Sequence, residues 1–166
     1  MNIEIRKAKI GDEKILANIQ TQAWKSAFAD IISADDMEKY TDVAKAEEMY
    51  IRVLNSDYVE IYILEIDEKP HCIASWCKAR NAQFSDCAEI ICIHSLCDNW
   101  GKGYGSMMMN HILNEIKNSG FKSVILWVFE KNTRARRFYE RHGFELTGNA
   151  QLSYGAVEVM YRKFFM

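Results

Sequence analysis

The sequence predicts an α/β fold with a mixed sheet and helices on both faces, on three observations. Segments of period-two alternation are interleaved with segments whose apolar residues recur every three or four positions. A glycine-rich loop, Gly101 to Gly105, joins a strand directly to a helix, and a further strand follows, so the middle of the chain reads as a βαβ unit. The segments on either side have hairpin patterning, which makes the remaining pairing antiparallel.

Residues 2–7 alternate charged and apolar side chains as a strand does. Gly11-Asp12 opens a helical pattern carried by Ile15, Leu16, Ile19, Ala23, Trp24 and Phe28. Two shorter helices follow, one capped at Ser33 ahead of Asp36, the other starting at Asp42 with Ala46, Met49, Tyr50 and Val53 on one face. Tyr58 to Ile66 alternates, Asp67-Glu68-Lys69-Pro70 is turn chemistry, and His71 to Ala79 is apolar and aromatic, which together make a hairpin. Ala88 to Leu96 is the next strand. The helix after the glycine loop ends at Gly120, a C-terminal cap, and Ser123 to Phe129 is a strand rich in β-branched and aromatic residues. Asn132 or Thr133 caps a helix with Ala135, Phe138, Tyr139 and His142 at helical spacing. It stops at Gly143, and strands from Phe144 and from Val157 to Phe164 close the chain.

At 166 residues, with one proline and no linker-like stretch, the chain reads as a single domain, 1–166. Twenty-one Lys and Arg against 23 Asp and Glu provide no positive field for a nucleic acid backbone, so none is expected as a partner. The amino terminus is followed by no continuous apolar run, which predicts neither signal peptide nor membrane anchor and a cytoplasmic location. Five cysteines, an odd number without CxxC pairing or zinc spacing, read as reduced, buried small residues, and no metal site is expected. His94, His111 and His142 lack partners at metal spacing and read as structural.

Trp100-Gly101-Lys102-Gly103-Tyr104-Gly105-Ser106 carries the strongest local signal. Alternate glycines let several backbone N–H groups turn toward one point, and a helix N-terminus beside such a nest suits a phosphate. The order is neither that of a P-loop nor that of a dinucleotide fold. From Glu89 through Phe144 the sequence resembles the acetyl-CoA-binding core of the GNAT superfamily of N-acyltransferases. Trp100 to Gly105 is similar to that family's [QR]-x-x-G-x-[GA] loop, and Asn132 through Phe144 is similar to its N-x-x-A-x-x-[FL]-Y-x-x-x-G-F signature. The two motifs cover about a third of the chain. Departures are Trp100, where Gln or Arg is usual, Cys97 in place of proline, and Ser95 in place of a β-branched apolar residue.

The resemblance implies a single-domain GNAT-like fold: a mixed, mostly antiparallel central sheet of about seven strands, a central splayed parallel pair, and helices on both faces. It also implies acetyl-CoA as co-substrate, with the amides of Trp100, Gly101, Lys102, Gly103, Tyr104, Gly105 and Ser106 on the pyrophosphate. The N–H of Ile93 would face the thioester carbonyl, a bulge in its strand freeing that donor, and the N–H and C=O of Ser95 would pair with the pantetheine arm. Asn132 would bond that arm or cap its helix. Acyl transfer needs an uncharged amine, and an alkyl amine with pKa near 10.4 is only about one part in a few thousand neutral at pH 7. Glu89 matches the glutamate that is general base in the histone-acetylating branch; its alternatives are an exposed strand-end carboxylate in its own right, or Glu130 as the base. Tyr139 matches the tyrosine that returns a proton to the departing thiolate.

The cluster Lys131, Arg134, Arg136, Arg137 and Arg141 reads as a solvated face or as a contact for the CoA 3′-phosphate. The acceptor would be chosen by residues 24–50 and 148–155, and it stays open between small-molecule and peptide amines. A homodimer is in keeping with relatives. Two function classes stand: an N-acetyltransferase transferring acetyl to a primary amine by direct attack in a ternary complex, and a non-catalytic acyl-CoA-binding or regulatory module.

Overall fold

The computed structural model describes all 166 residues. Seven strands form one sheet in the order β1-β2-β3-β4-β5-β7-β6. They are β1 (Ile3–Lys7), β2 (Glu60–Ile66), β3 (Lys69–Lys78), β4 (Ala88–Ser95), β5 (Ser123–Phe129), β6 (Glu145–Ser153) and β7 (Ala156–Phe164). Only β4 and β5 are parallel; every other pair is antiparallel. The helices are α1 (Glu13–Ala27), α2 (Ala34–Tyr40), α3 (Val43–Leu54), α4 (Tyr104–Asn118) and α5 (Thr133–Arg141). No helix is long and apolar enough to cross a membrane.

Local chemistry sets the helix ends. The Ser33 hydroxyl accepts from the Asp36 N–H, the Asp42 carboxylate from Lys45 N–H, and the Asn132 side chain from Ala135 N–H, each filling one orphan donor of a first turn. Asp12 precedes α1 but turns away from its amides; its carboxylate takes the Arg6 guanidinium at 2.8 Å and Lys9 N–H at 2.9 Å, tying β1 to the start of α1. The turn after β2 puts Asp67 and Glu68 at positive φ, so β3 starts at Lys69, two residues earlier than the apolar run indicates. Pro70 is tolerated at that strand start because the ladder shifts there.

The α4 face of the sheet carries the larger core, in which Met108, Met109, Ile112 and Ile116 of α4 pack against alternate residues of β2 to β5 and β7. On the opposite face α1 and α3 cover β2 and β3 through Leu16, Ala17, Ile19, Ala46 and Tyr50. Beyond them, Trp24, Phe28, Ile32, Tyr40 and Phe129 form a separate aromatic cluster next to the β6–β7 turn. The mixed sheet, its number of strands, its central parallel pair and its two covered faces agree with expectation.

Candidate active site

The site begins where β4 parts from β5. Their pairing stops at Ile90 beside Leu126, although β4 continues to Ser95 and β5 to Phe129. Against β3 the register shifts between Ser75 and Trp76, leaving Ile91 as an extra residue on β4, the expected bulge. Leu96 N–H donates to the His71 carbonyl at 3.0 Å, so by the alternation of an antiparallel ladder His94 and Cys92 bond to β3, while the N–H and C=O of Ile93 and Ser95 point the other way. Those groups face the gap that β5 leaves. A cleft of about 680 Å³ occupies it, lined among others by Glu89, Ile93, Ser95, Trp100, Asn132 and Tyr139.

At one end of this cleft lies the glycine loop. Gly103 caps α4 at φ 88°, where a side chain would be strained, and no side chain caps the N–H groups of Tyr104, Gly105 and Ser106. At Gly105 α4 faces α5, where a Cβ would make ordinary contact with the Phe138 ring at 3.5 Å. Trp100 is the loop residue that lines the cleft, and Gly101 to Ser106 continue beyond it. Its indole N–H donates to the Ser95 carbonyl at 3.0 Å, so that carbonyl is already engaged inside the chain. The Arg134 guanidinium lies over the Trp100 ring, 3.4 Å from its centroid, has no carboxylate partner, and is shifted down in pKa by burial. Arg136 instead bonds the Tyr161 hydroxyl at 2.9 Å and the Glu130 carbonyl at 3.1 Å.

Glu89 is buried, not the exposed strand-end carboxylate of the first alternative. The Arg80 backbone N–H and Nε bond its Oε2 at 3.0 and 3.2 Å, and Arg80 Nη2 bonds Oε1 at 2.6 Å. The local reason is the β3–β4 connection, which brings Arg80 back along the strand that carries Glu89. Glu130 is exposed and outside the cleft lining, which separates the two candidate bases. Tyr139 is the buried face of α5; its hydroxyl has no partner in the chain yet is not sealed, so it opens on the cleft. Burial raises its pKa well above the usual phenol value, with the Cys92 thiol adding to that and Arg134 opposing it. The phenol is therefore protonated at neutral pH.

His94, read from sequence as structural, also lines the cleft. Its Nε2 stands 3.4 Å from the Trp24 indole N–H, and burial lowers its pKa to about 4, so the ring is neutral. Cys92, beside it on β4, is held as a thiol by burial, its pKa pushed up to about 11. Cys72, Cys77 and Cys87 are buried as expected, but Cys97 is exposed in the 3-10 turn before Trp100, a turn that the apolar pattern did not announce. No group of three His, Cys, Asp or Glu side chains is placed to hold a metal ion. On the far side of the gap, β5 and β7 bring Trp127, Phe129 and Glu158, and the β6–β7 turn brings Tyr154. Glu158 and Tyr154 carried no motif in the sequence; only strand register assembles them.

The profile of the Acetyltransferase (GNAT) family matches residues 22–144. The chain belongs to that family. It is 31% identical over 97 residues to an uncharacterized N-acetyltransferase of Methanocaldococcus jannaschii, a stretch covering 56% of this chain and 42% of that protein. It is 24% identical over 132 residues to the uncharacterized N-acetyltransferase YuaI of Bacillus subtilis, covering 78% and 73%. Thus the chain spans less than half the length of the archaeal relative. Among solved structures, a PaiA N-acetyltransferase from Thermoplasma acidophilum in complex with coenzyme A superposes with TM-score 0.85 at 19% identity, over 99% of this chain and 100% of that one. An acetyltransferase from Thermus thermophilus superposes with TM-score 0.74 at 12% identity, over 99% and 98%. At these identities the likeness is one of fold.

Proposed function

We propose that the protein transfers an acetyl group from acetyl-CoA to a primary amine by direct attack in a ternary complex. The observation that carries this reading is the gap between β4 and β5, with the N–H groups of Ile93 and Ser95 turned into it and the unpartnered Tyr139 hydroxyl at its wall. The Ile93 N–H donates to the oxygen on which charge grows as the amine attacks. Tyr139, neutral at working pH, gives its proton to the departing thiolate. Glu89 keeps one lone pair of Oε1 outside the Arg80 clamp and orders the water that takes the amine's proton and passes it to solvent.

The substrate's phosphates are held by the free amides of α4 with the loop Trp100 to Ser106, and its pantetheine arm pairs with Ser95 as an added strand would. Asn132 is engaged as the cap of α5. Residues 1–166 act as one catalytic domain, with a small-molecule or peptide amine as partner and neither nucleic acid nor membrane. A reducing cytoplasm suits its five thiols, and a homodimer fits the reading equally. The test is calorimetric titration with acetyl-CoA, CoA and dephospho-CoA, followed by thiol release with amines. Saturable binding and amine-dependent thiol release are expected. Binding without release for any amine would make the protein an acyl-CoA-binding or regulatory module, and no binding at millimolar acetyl-CoA would remove both readings.

A further inference from the structure

The sheet face opposite α4 holds a second lobe of the cleft whose composition selects its ligand. Four aromatic rings wall it. Trp24 meets Phe28 edge-on at 5.1 Å between centroids and Tyr154 at 4.9 Å, and Phe28 meets Phe129 at 4.9 Å. Phe129 and Glu158 are direct partners across β5 and β7, and Glu158 and Gln151 are direct partners across β7 and β6, so the three side chains stand in one row on this face. The Gln151 amide donates to Glu158 Oε2 at 2.9 Å, which orients the carboxylate, and Glu158 has no cationic partner. The other charged residues of the cleft lining on this side are Arg80 and Glu89, which neutralise one another, while Asp36 stands outside that lining beside Gly155 and accepts the Ser33 hydroxyl. One unpaired carboxylate therefore stands beside aromatic walls.

Resting on the acetyltransferase reading, we infer that the acceptor is a monocationic amine with an aromatic or bulky apolar body, an arylalkylamine in class, whose ammonium is received by Glu158 and whose body packs on Trp24, Phe28, Phe129 and Tyr154. Each feature excludes a neighbouring class. A polyamine needs a second unpaired carboxylate for its second ammonium, and the cleft lining has none, Asp36 lying outside it with its carboxylate on the Ser33 hydroxyl. An amino acid brings a carboxylate of its own toward Glu158, while the guanidinium that would receive it is clamped on Glu89. Ring faces attract a cation, and the apolar body gains from leaving water. On moving from Glu158 toward the Ile93 N–H and the thioester, the ammonium gives one proton to the water ordered on Glu89, and the nitrogen gives up a second to solvent after attack, which restores the Tyr139 hydroxyl. The new bond is C–N, the broken bond is C–S, and the thiolate leaves with the Tyr139 proton.

The experiment compares kcat/KM, by thiol release, for 2-phenylethylamine, phenylalanine, spermidine and a lysine-containing peptide, with acetyl-CoA binding measured separately by calorimetry. The expected result is at least a tenfold preference for 2-phenylethylamine. Glu158→Gln should raise its KM tenfold or more and leave acetyl-CoA affinity within twofold. Gln151→Ala, which keeps the charge and removes only its orienting bond, should raise KM less. Preference for spermidine, phenylalanine or the peptide, an unchanged KM in Glu158→Gln, or no turnover of 2-phenylethylamine by protein that binds acetyl-CoA would each overturn the assignment. Failure to bind acetyl-CoA would instead strike the proposed function itself.

Discussion

The Arg134 guanidinium lies over the Trp100 ring, 3.4 Å from its centroid, and Trp100 in turn donates its indole N–H to the Ser95 carbonyl. The loop position that usually bears Gln or Arg thus carries an aromatic plate, and the cation sits on that plate from α5. With no carboxylate partner, the guanidinium keeps its donors for an anion at the mouth of the cleft. Arg134→Gln should weaken acetyl-CoA binding by about tenfold and make the affinity less sensitive to salt, read by calorimetry at two ionic strengths. Equal losses for CoA and dephospho-CoA would place the contact on the pyrophosphate, whereas a loss confined to CoA would place it on the 3′-phosphate. An unchanged affinity would leave the stack a packing feature only.

Arg80 and Glu89 form a pair in which the carboxylate is buried and the guanidinium is partly in solvent. Arg80→Met strands a buried charge, a situation that costs about 3 kcal/mol, whereas Glu89→Gln keeps shape and hydrogen-bonding capacity and should cost less. Urea unfolding of the two variants checks the order; equal stability of Arg80→Met and the parent protein would mean that Glu89 reaches solvent. In the same Glu89→Gln protein kcat should fall as the ordering of that water is weakened, and an unchanged kcat would leave proton removal to bulk water alone.

Tyr139→Phe removes one oxygen from a side chain whose ring is packed against Phe138 and Phe144. The ring packing survives, so acetyl-CoA affinity should stay within twofold while kcat falls by about 100-fold, the range of a lost general acid. Steady-state kinetics with calorimetry separates the two quantities. An unchanged kcat would remove the hydroxyl from the reaction.

Much of this architecture was legible because it rests on local chemistry. Ser33 and Asp42 announce α2 and α3 through their own side chains, the β-branched run from Ser123 to Phe129 is a strand wherever it packs, and Gly103 marks a turn that needs positive φ. Tyr139 could be placed from the pattern around it. The side chains that complete the cleft had no such signal. Glu158 reaches Phe129 through register between strands about 30 residues apart, and Arg80 reaches Glu89 only because the β3–β4 connection doubles back. His94 looked structural because a single imidazole on an apolar strand says nothing about which face opens on a cavity. The exposure of Cys97 depends on a 3-10 turn, which has too short a period to leave a trace in the pattern.

His94 makes stability depend on pH in a direction that burial fixes. Its pKa falls from 6.5 in the unfolded chain to about 4 in the fold, with desolvation as the cause. Below pH 6.5 the unfolded chain therefore takes up a proton that the folded protein refuses until near pH 4, and folding loses free energy throughout that window. At 1.36 kcal/mol for each pH unit the loss approaches about 3 kcal/mol, and it stops growing once both states are protonated. The Trp24 indole N–H points at Nε2, so a proton there would meet another donor and gain nothing from the neighbour. His94→Gln removes the titration, so between pH 7 and pH 4.5 the parent protein should lose about 2 kcal/mol more than the variant in urea unfolding. The other groups of the chain are common to both proteins and cancel in the comparison. Equal losses would show that water reaches the imidazole in the folded state.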